Sequence, residues 1–252
     1  MFIREGISIK IRAVHFDYFD NDNYKRLADV WEYSAKKYNP DADVKLITLD
    51  FKKSGSDVKD SWVYNDKKLG TWRDEIVNSD DDIVVMDADM LVLGDLSEPF
   101  KKDFDICYTA RTKSRYPLNG GVIFAHPTEQ AKKFMQDWYE LDKVMLTGHG
   151  FHQQYRVKYG GMNQASFGAM IEDRKLKCKL ESVICSEYNL CDEEWRFFDD
   201  NVKILHVKGA LRCAVLGNVI PKNKKYADRI DIPKRVWQKL EAELKEATNG
   251  RG

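Results

Sequence analysis

The chain has 252 residues, with 41 lysines and arginines and 41 aspartates and glutamates, so its formal net charge is zero. This length allows one large α/β domain with a sizeable core, and the charge balance argues against a protein that mainly binds nucleic acid non-specifically. Five cysteines without a CxxC pair predict a reduced, cytoplasmic protein, and without a run of about 18 apolar residues we expect no membrane span.

The first part of the chain alternates strands and helices. Residues 11–19 predict a strand, a helix with apolar residues at helical spacing follows up to Pro40, and residues 43–50 predict a second strand. This βαβ pattern implies a parallel sheet with right-handed crossovers. A polar loop over 51–61 and a short helix over 71–80 then lead into the strand "DIVVMDAD".

The second part of the chain has a less regular pattern. It predicts strands over 104–110, 120–126 and 202–209, helices over 128–145, 163–172 and 232–247, and loops over 111–118 and 147–161. No repeat or linker divides the chain, so we predict one mixed α/β domain over residues 1–252. Within it we expect a nucleotide-binding half over about 10–110, a donor-sugar and acceptor half over about 111–215, and a basic segment with a helix over 216–252.

Two carboxylates interrupt the apolar stretch "DIVVMDADMLVLGDL" (82–96). Asp87 and Asp89 follow a predicted strand at the edge where open α/β sheets bind ligands, and residues i and i+2 of a strand share a face. Two like charges there cost on the order of several kcal/mol unless they are neutralised. Paired carboxylates suit Mn²⁺ or Mg²⁺ better than Zn²⁺. The alternative is a pair of solvated acids at the start of a loop.

Five segments, in order, resemble the family 8 retaining glycosyltransferases, the glycogenin-like and galactosyltransferase-like enzymes with a GT-A fold. "VVMDADMLVLGDLSEPF" resembles their DxD segment, "LNGGVIFA" their FNxGV strand, "GMNQASF" their DQxxhN segment, "ICSEYNL" their LPxxYN segment and "HVKGALR" their C-terminal HxxGxxKPW. The resemblance covers roughly residues 10–215. It implies a single GT-A domain with a Rossmann-like, mixed but mostly parallel sheet flanked by helices.

The resemblance also implies a role for each matched residue. Asp87, Asp89 and His206 would bind Mn²⁺ or Mg²⁺, which would bridge the phosphates of a UDP-sugar donor. The other candidates for donor binding are Tyr18 at the base, Arg73 in the helix before the DxD strand, Gly120 and Gly121 at the sugar, and Lys208, Gly209 and Arg212 at the phosphates. The catalytic candidates are Asn119, Asn163 and Gln164.

The family has an Asp-Gln pair where this chain has Asn163 and Gln164. An amide cannot serve as the carboxylate nucleophile that a double displacement needs, so the residues favour a front-face mechanism. The acceptor would attack from the side that the diphosphate leaves, and Gln164 would steady the sugar. The predicted activity is metal-dependent transfer of a hexose, from UDP-glucose or UDP-galactose, to an acceptor hydroxyl with retention.

Two other functions stay open at this point. A haloacid-dehalogenase-type phosphatase also places DxD after a hydrophobic strand, with Asp87 as nucleophile, but Met90 and Leu91 do not fit its usual continuation. A degenerate, non-catalytic nucleotide-sugar binder would be expected to lose the metal ligands, and all three candidates are present. The sequence leaves the acceptor open among a glycan, a protein side chain and a modified nucleobase, and it does not indicate an oligomeric state.

Overall fold

The structure of the protein is a computed structural model that describes residues 9–17, 22–50, 60–112, 115–147, 149–172, 176–217 and 224–250. Its strands are β1 (Lys10–Asp17), β2 (Asp43–Asp50), β3 (Ile83–Asp87), β4 (Met90–Val92), β5 (Ile106–Ala110), β6 (Leu118–Ala125), β7 (Leu180–Ile184), β8 (Leu190–Cys191) and β9 (Ile204–His206). Its α-helices are α1 (Asp22–Tyr38), α2 (Asp60–Val77), α3 (Glu129–Thr147), α4 (His149–Tyr159), α5 (Asn163–Glu172), α6 (Cys185–Tyr188), α7 (Arg212–Val215) and α8 (Lys224–Asn249). Short 3₁₀ helices span Glu98–Lys101, Asp192–Phe197 and Gly209–Leu211.

A six-stranded sheet in the order β2-β1-β3-β6-β5-β7 forms the centre of the fold. Strand β1 pairs in parallel with β2 and β3, and β5 pairs in parallel with β7, while β6 runs antiparallel to β3 and β5. The predicted α/β fold with a mixed, mostly parallel sheet is therefore confirmed. The sheet takes strands from both predicted halves of the chain, and the functional division near residue 110 remains a prediction.

Both faces of this sheet are covered by apolar side chains, which explains the continuous apolar run of β3. Trp31 of α1 packs on one face, and Trp72 of α2 and Trp138 of α3 pack on the other, all essentially inaccessible to water. Trp237 of α8 joins a third cluster against α1. The burial of each such side chain contributes about 1.5–3 kcal/mol or more to the free energy of unfolding. This packing on both faces holds in place the strand ends where the polar residues lie.

A second, three-stranded sheet lies beside the end of β3. Its order is β4-β9-β8, with β4 antiparallel and β8 parallel to β9. The pairing places Met90 opposite His206, and the Val207 N–H donates to the Asp89 carbonyl at 2.8 Å. This small sheet brings the late "HVKG" segment against the DxD turn.

The structure corrects several predicted boundaries. The helix before β3 begins at Asp60, within the predicted polar loop over 51–61, and residues 51–59 lie outside the described part. The stretch 147–161 contains helix α4 in place of a loop, because Tyr155 and Tyr159 lie four residues apart and both pack on the core. Helix α8 begins at Lys224, earlier than predicted, and continues through Pro233.

The sequence pattern gave no prediction for three strands, β4, β7 and β8. All three are short, and β7 packs on the core from the edge of the large sheet with mostly half-buried side chains. The predicted strand over 202–209 shortens to Ile204–His206. Among the helices of the described residues, none is both long enough and apolar enough to cross a bilayer.

Candidate active site

Asp87, Asp89 and His206 converge where β3 ends. Each offers one ligand atom, and these atoms lie within 4.8 Å of one another. The Nε2 atom of His206 is 3.1 Å from Asp89 Oδ1 and 3.9 Å from Asp87 Oδ2. Two carboxylates and one imidazole form a donor set that suits a divalent cation such as Mn²⁺ or Mg²⁺. The chemistry of the residues present therefore fits the predicted metal.

The ring of His206 is oriented by a buried chain of hydrogen bonds. Thr109 Oγ1 donates to the Asn119 carbonyl at 2.6 Å, so it accepts from Asn189 Nδ2 at 3.0 Å. Asn189 Oδ1 then faces His206 Nδ1 at 2.8 Å and accepts a hydrogen bond from the Nδ1–H. Nε2 is therefore the ring nitrogen that faces the two carboxylates, where it would be available to a metal.

Each carboxylate is also paired with a cationic side chain. Lys68 of α2 donates to Asp87, and the Arg212 guanidinium donates to Asp89 and, through Nε, to the Val207 carbonyl at 3.2 Å. The Arg212 guanidinium also lies 4.9 Å from the ring centroid of Tyr24. Burial alone would raise the pKa of Asp89, but His206 and Arg212 outweigh burial and hold that pKa well below its usual range.

Strand β6 passes directly beneath the carboxylates at a glycine. A Cβ atom at Gly121 would lie 2.8 Å from Asp87 Oδ2, 2.8 Å from Met90 Cε and 3.1 Å from His206 Cε1. At Gly120 the nearest atoms, those of Gln164, would be 3.9 Å away. The absence of a side chain at Gly121 therefore allows the three ligand residues to approach β6.

The three catalytic candidates occupy different places around Gly120. Asn119 is buried, and its Oδ1 accepts the Gly121 N–H at 3.1 Å. Gln164 Oε1 accepts the Gly120 N–H at 3.2 Å, and its Nε2 donates to the Tyr159 carbonyl. Asn163 is also buried, and its Nδ2 donates to the Asn65 carbonyl at 2.8 Å. The structure thus brings Asn119 and Gln164 together at β6 and directs Asn163 towards α2.

A cavity of about 270 Å³ opens beside the carboxylates, at the carboxyl ends of β1 and β3. Its aromatic wall includes Phe16 and Tyr64, whose ring centroids are 5.0 Å apart. The other lining residues are Val14, His15, Tyr24, Leu27, Ser61, Asn65, Lys68, Asp87, Ala88, Asp89 and Arg212. Tyr18, the predicted base-binding residue, lies outside the described residues.

Arg73 lies on another face of α2 from this cavity. Its guanidinium donates to Asp74 at 2.6 Å and stacks 4.1 Å from the ring centroid of Tyr139. Lys68, five residues earlier on the same helix, is the basic residue beside Asp87. Because the predicted helix began at residue 71, the sequence analysis missed Lys68. A helix that starts at Asp60 would have placed Lys68 on the face of Trp72, whose ring centroid is 4.5 Å from Nζ.

The phosphate candidates follow β9 directly. Lys208 is half-buried, and Gly209 has a φ of +73°, a left-handed conformation that favours glycine. This turn leads the chain through a 3₁₀ helix to Arg212, the first residue of α7. Of the three, the structure places Arg212 at the carboxylates, while the donor contacts of Lys208 and Gly209 remain predictions.

Several solved glycosyltransferase structures share this fold. A glycosyltransferase involved in the glycosylation of the major capsid of PBCV-1 matches with a TM-score of 0.57 and 11% identity, over 82% of this chain and 96% of that one. The galactosyltransferase LgtC, in complex with donor and acceptor sugar analogs, matches with a TM-score of 0.55 and 13% identity, over 93% and 96%. GlyE of Streptococcus pneumoniae TIGR4 matches with a TM-score of 0.54 and 13% identity, over 96% of this chain and 64% of that one.

These likenesses bear on the fold alone, because the identities are low. They confirm the GT-A type predicted from the sequence. No protein-family model matches the sequence, and no curated protein matches it either. The narrower resemblance to glycogenin-like enzymes stays a prediction.

Proposed function

We propose that this protein is a metal-dependent glycosyltransferase that transfers a hexose from UDP-glucose or UDP-galactose to an acceptor hydroxyl. The observation that carries the proposal is the convergence of Asp87, Asp89 and His206 at the end of β3. This cluster lies beside an open cavity, in a fold that several glycosyltransferases share. A two-carboxylate, one-imidazole cluster at this edge of the sheet suits the binding of a nucleotide diphosphate through a cation.

The side chains around the cluster would have separate roles in donor binding. Asp87, Asp89 and His206 would hold Mn²⁺ or Mg²⁺, which supplies Lewis-acid stabilisation of the charge on a leaving diphosphate. Lys68 and Arg212 pair with these carboxylates, so two positive charges lie next to the site. When the carboxylates bind the cation instead, these two side chains become available to donate to phosphate oxygens.

The amides around Gly120 support transfer with retention by a front-face mechanism. Asn119, Asn163 and Gln164 cannot form the ester that a double displacement requires. In the proposed step, the acceptor oxygen bonds to the anomeric carbon as the bond to the diphosphate breaks. The acceptor proton passes to the departing phosphate oxygen. Gln164, held by Gly120 and Tyr159, would steady the sugar during this exchange.

The two alternative functions are less consistent with the site. Asp87 lines the open cavity and could act as a nucleophile there, but the solved structures that share this fold over most of the chain are glycosyltransferases. A degenerate binder would be free to lose ligands and the glycine beneath them, yet both the ligands and Gly121 are retained. From the five scattered cysteines of the sequence we also propose a reducing, cytoplasmic location.

Donor hydrolysis tests this proposal without knowledge of the acceptor. Purified protein would be incubated with UDP-glucose, UDP-galactose or GDP-mannose, with and without Mn²⁺, and the products followed by NMR. We expect release of UDP and the α-anomer of the hexose from a UDP-hexose only when Mn²⁺ is present. Release of the β-anomer would contradict the front-face mechanism. A protein that leaves every donor intact but hydrolyses a phosphate monoester such as p-nitrophenyl phosphate would favour the phosphatase. The donor that reacts would then be used to screen glycans, proteins and nucleobases as acceptors.

A further inference from the structure

A second buried carboxylate lies between helices, away from the metal cluster. Asp142 of α3 is completely buried, and its Oδ2 has no hydrogen-bond partner among the described residues. Its Oδ1 contacts only the hydroxyl of Ser166 on α5. No ion pair to a lysine, arginine or histidine accompanies it in the described part of the chain. An isolated buried carboxylate is costly when ionised, so the protein must neutralise it in another way.

The contacts of the Ser166 hydroxyl indicate how Asp142 is neutralised. Its Oγ lies 2.9 Å from Trp138 Nε1, 3.0 Å from the Asn163 carbonyl oxygen and within hydrogen-bond distance of Asp142 Oδ1. A hydroxyl has one proton to donate and can accept two hydrogen bonds. The indole N–H of Trp138 can only donate, and it is shared between Ser166 Oγ and the Asn163 carbonyl, which lies 3.2 Å away. The single Ser166 proton serves either an ionised Asp142 or the Asn163 carbonyl, and in either case Asp142 Oδ2 has no donor among the described residues.

A proton on Asp142 satisfies all three contacts at once. The acid then donates to Ser166 Oγ, Trp138 also donates to Oγ, and the hydroxyl donates to the Asn163 carbonyl. The charged groups that act on Asp142 are Asp66 and Lys68, both on α2. Burial has the largest effect and raises the pKa of Asp142 to about 7, with a further increase from Asp66 and a decrease from Ser166 and Lys68.

We propose that Asp142 is a protonated acid in the folded protein, and that it acts through Ser166 as a positioning residue for the start of α5. The second half of this proposal rests on the proposed function, because Asn163 and Gln164 begin that helix. Ser166 holds the Asn163 carbonyl, Asn163 Nδ2 holds the Asn65 carbonyl, and Gln164 holds the Gly120 N–H. Ionisation of Asp142 would draw the Ser166 proton to the carboxylate, and the Asn163 carbonyl would lose its hydrogen bond from Ser166.

The first test compares the wild type with Asp142→Asn, whose amide can donate to Ser166 but cannot ionise. Because the pKa of Asp142 is raised in the folded state, its stabilising proton is fully present at low pH and is lost as the pH rises towards about 7. Urea unfolding would be measured from about pH 4 to about pH 8. We expect the wild type to lose stability relative to Asp142→Asn as the pH rises. Its ratio of unfolded to folded protein should increase by up to about tenfold for each pH unit until about pH 7, and not beyond.

Two controls make this comparison decisive. Asp137→Asn changes an exposed acid on the same helix and should keep the wild-type pH dependence. The infrared band of a protonated carboxyl should be present in the wild type at about pH 6 and absent in Asp142→Asn. Identical pH dependence in the wild type and Asp142→Asn, or stabilisation by an added cation that Asp142→Asn abolishes, would overturn the proposal.

The positioning role has its own readout. Asp142→Ala should lower kcat for donor hydrolysis with little change in KM, and Asp142→Asn should restore it. Equal losses in both variants would show that Asp142 does not position Gln164 through a donated hydrogen bond. If no variant and no wild type hydrolyses any donor, the proposed function fails, and the unfolding comparison still decides the protonation of Asp142.

Discussion

Asp89 is half-buried beside the cavity and Asp142 is fully buried between helices, and their pKa values are shifted in opposite directions. At the edge of the sheet, Arg212 and His206 hold the pKa of Asp89 below its usual range despite burial. Between α3 and α5, burial without a cationic partner raises the pKa of Asp142 to about 7. Burial alone therefore does not decide the charge of a carboxylate, because its hydrogen-bond partners can reverse the effect.

The difference has a functional consequence. The charged site holds the pKa of Asp89 low beside Arg212, and under the proposed function these partners would exchange when a metal and a diphosphate bind. The neutral site offers no charge to a ligand and serves the packing of α5. Changes at the two sites should accordingly alter different measurements, metal affinity at the first and pH-dependent stability at the second.

The largest effect among the neighbours of the metal ligands is expected for Asn189→Ala. This change removes the acceptor that fixes the His206 tautomer, and loss of such partners typically lowers metal affinity by about 10–100-fold. Mn²⁺ titration followed by electron paramagnetic resonance would measure the affinity. Asn78→Ala, on the exposed end of α2, is the control and should leave the affinity unchanged. Wild-type affinity in Asn189→Ala would contradict the role of the buried hydrogen-bond chain.

Adjacent glycines offer a matched pair for the next test. In Gly121→Ala the new methyl group would press on Asp87 and Met90, so we expect roughly a tenfold loss of Mn²⁺ affinity from displaced ligands. Gly120→Ala meets nothing closer than 3.9 Å and should bind Mn²⁺ as the wild type does. The same titration measures both, and equal affinities would show that the ligands tolerate displacement or that the ion binds elsewhere.

The smallest effect, and one of opposite sign, is expected for Arg212→Ala. The guanidinium competes with a cation for Asp89, so its removal should raise the affinity for Mn²⁺ in the absence of UDP. We expect an increase of a few-fold, which corresponds to the free energy of a partly exposed ion pair. The affinity for UDP in the presence of Mn²⁺ should fall, because a phosphate donor is lost. Calorimetry would measure both, with Arg235→Ala on the exposed face of α8 as the control. Weaker binding of Mn²⁺ in the absence of UDP would contradict the proposal that Arg212 and the cation compete for Asp89.

Local patterns in the sequence predict much of the fold and the first two candidate metal ligands. The apolar strand before Asp87 and the alternation of β1, α1 and β2 are short-range signals, and both are confirmed. His206 was predicted only from the resemblance of its "HVKG" segment to the family motif, because it lies 117 positions after Asp89 and no local pattern connects the two. The structure joins them through the pairing of β4 with β9.

The missed parts of the site depend on contacts between distant segments or on a misplaced helix end. Lys68 was missed because the predicted helix begins at residue 71, with no prediction for residues 62–70, whereas α2 begins at Asp60. The chain from His206 through Asn189 to Thr109 joins residues 17 and 80 positions apart, which no single-sequence period reveals. Helix α4 was missed because its glycine and histidines suggested a loop, while its stability comes from packing by Tyr155 and Tyr159.

The thermal midpoint with UDP and Mn²⁺ tests the central claim most directly. A ligand at 100 times its dissociation constant stabilises the folded state by about 2.7 kcal/mol, which corresponds to roughly 5–10 °C for a domain of this size. We predict this shift only when UDP and Mn²⁺ are both present, its loss in Asp89→Ala, and its retention in Asp80→Ala, which changes an almost fully exposed acid. A folded wild type that shows no shift, or a shift that Asp89→Ala retains, would contradict a metal-dependent nucleotide-sugar site at the end of β3.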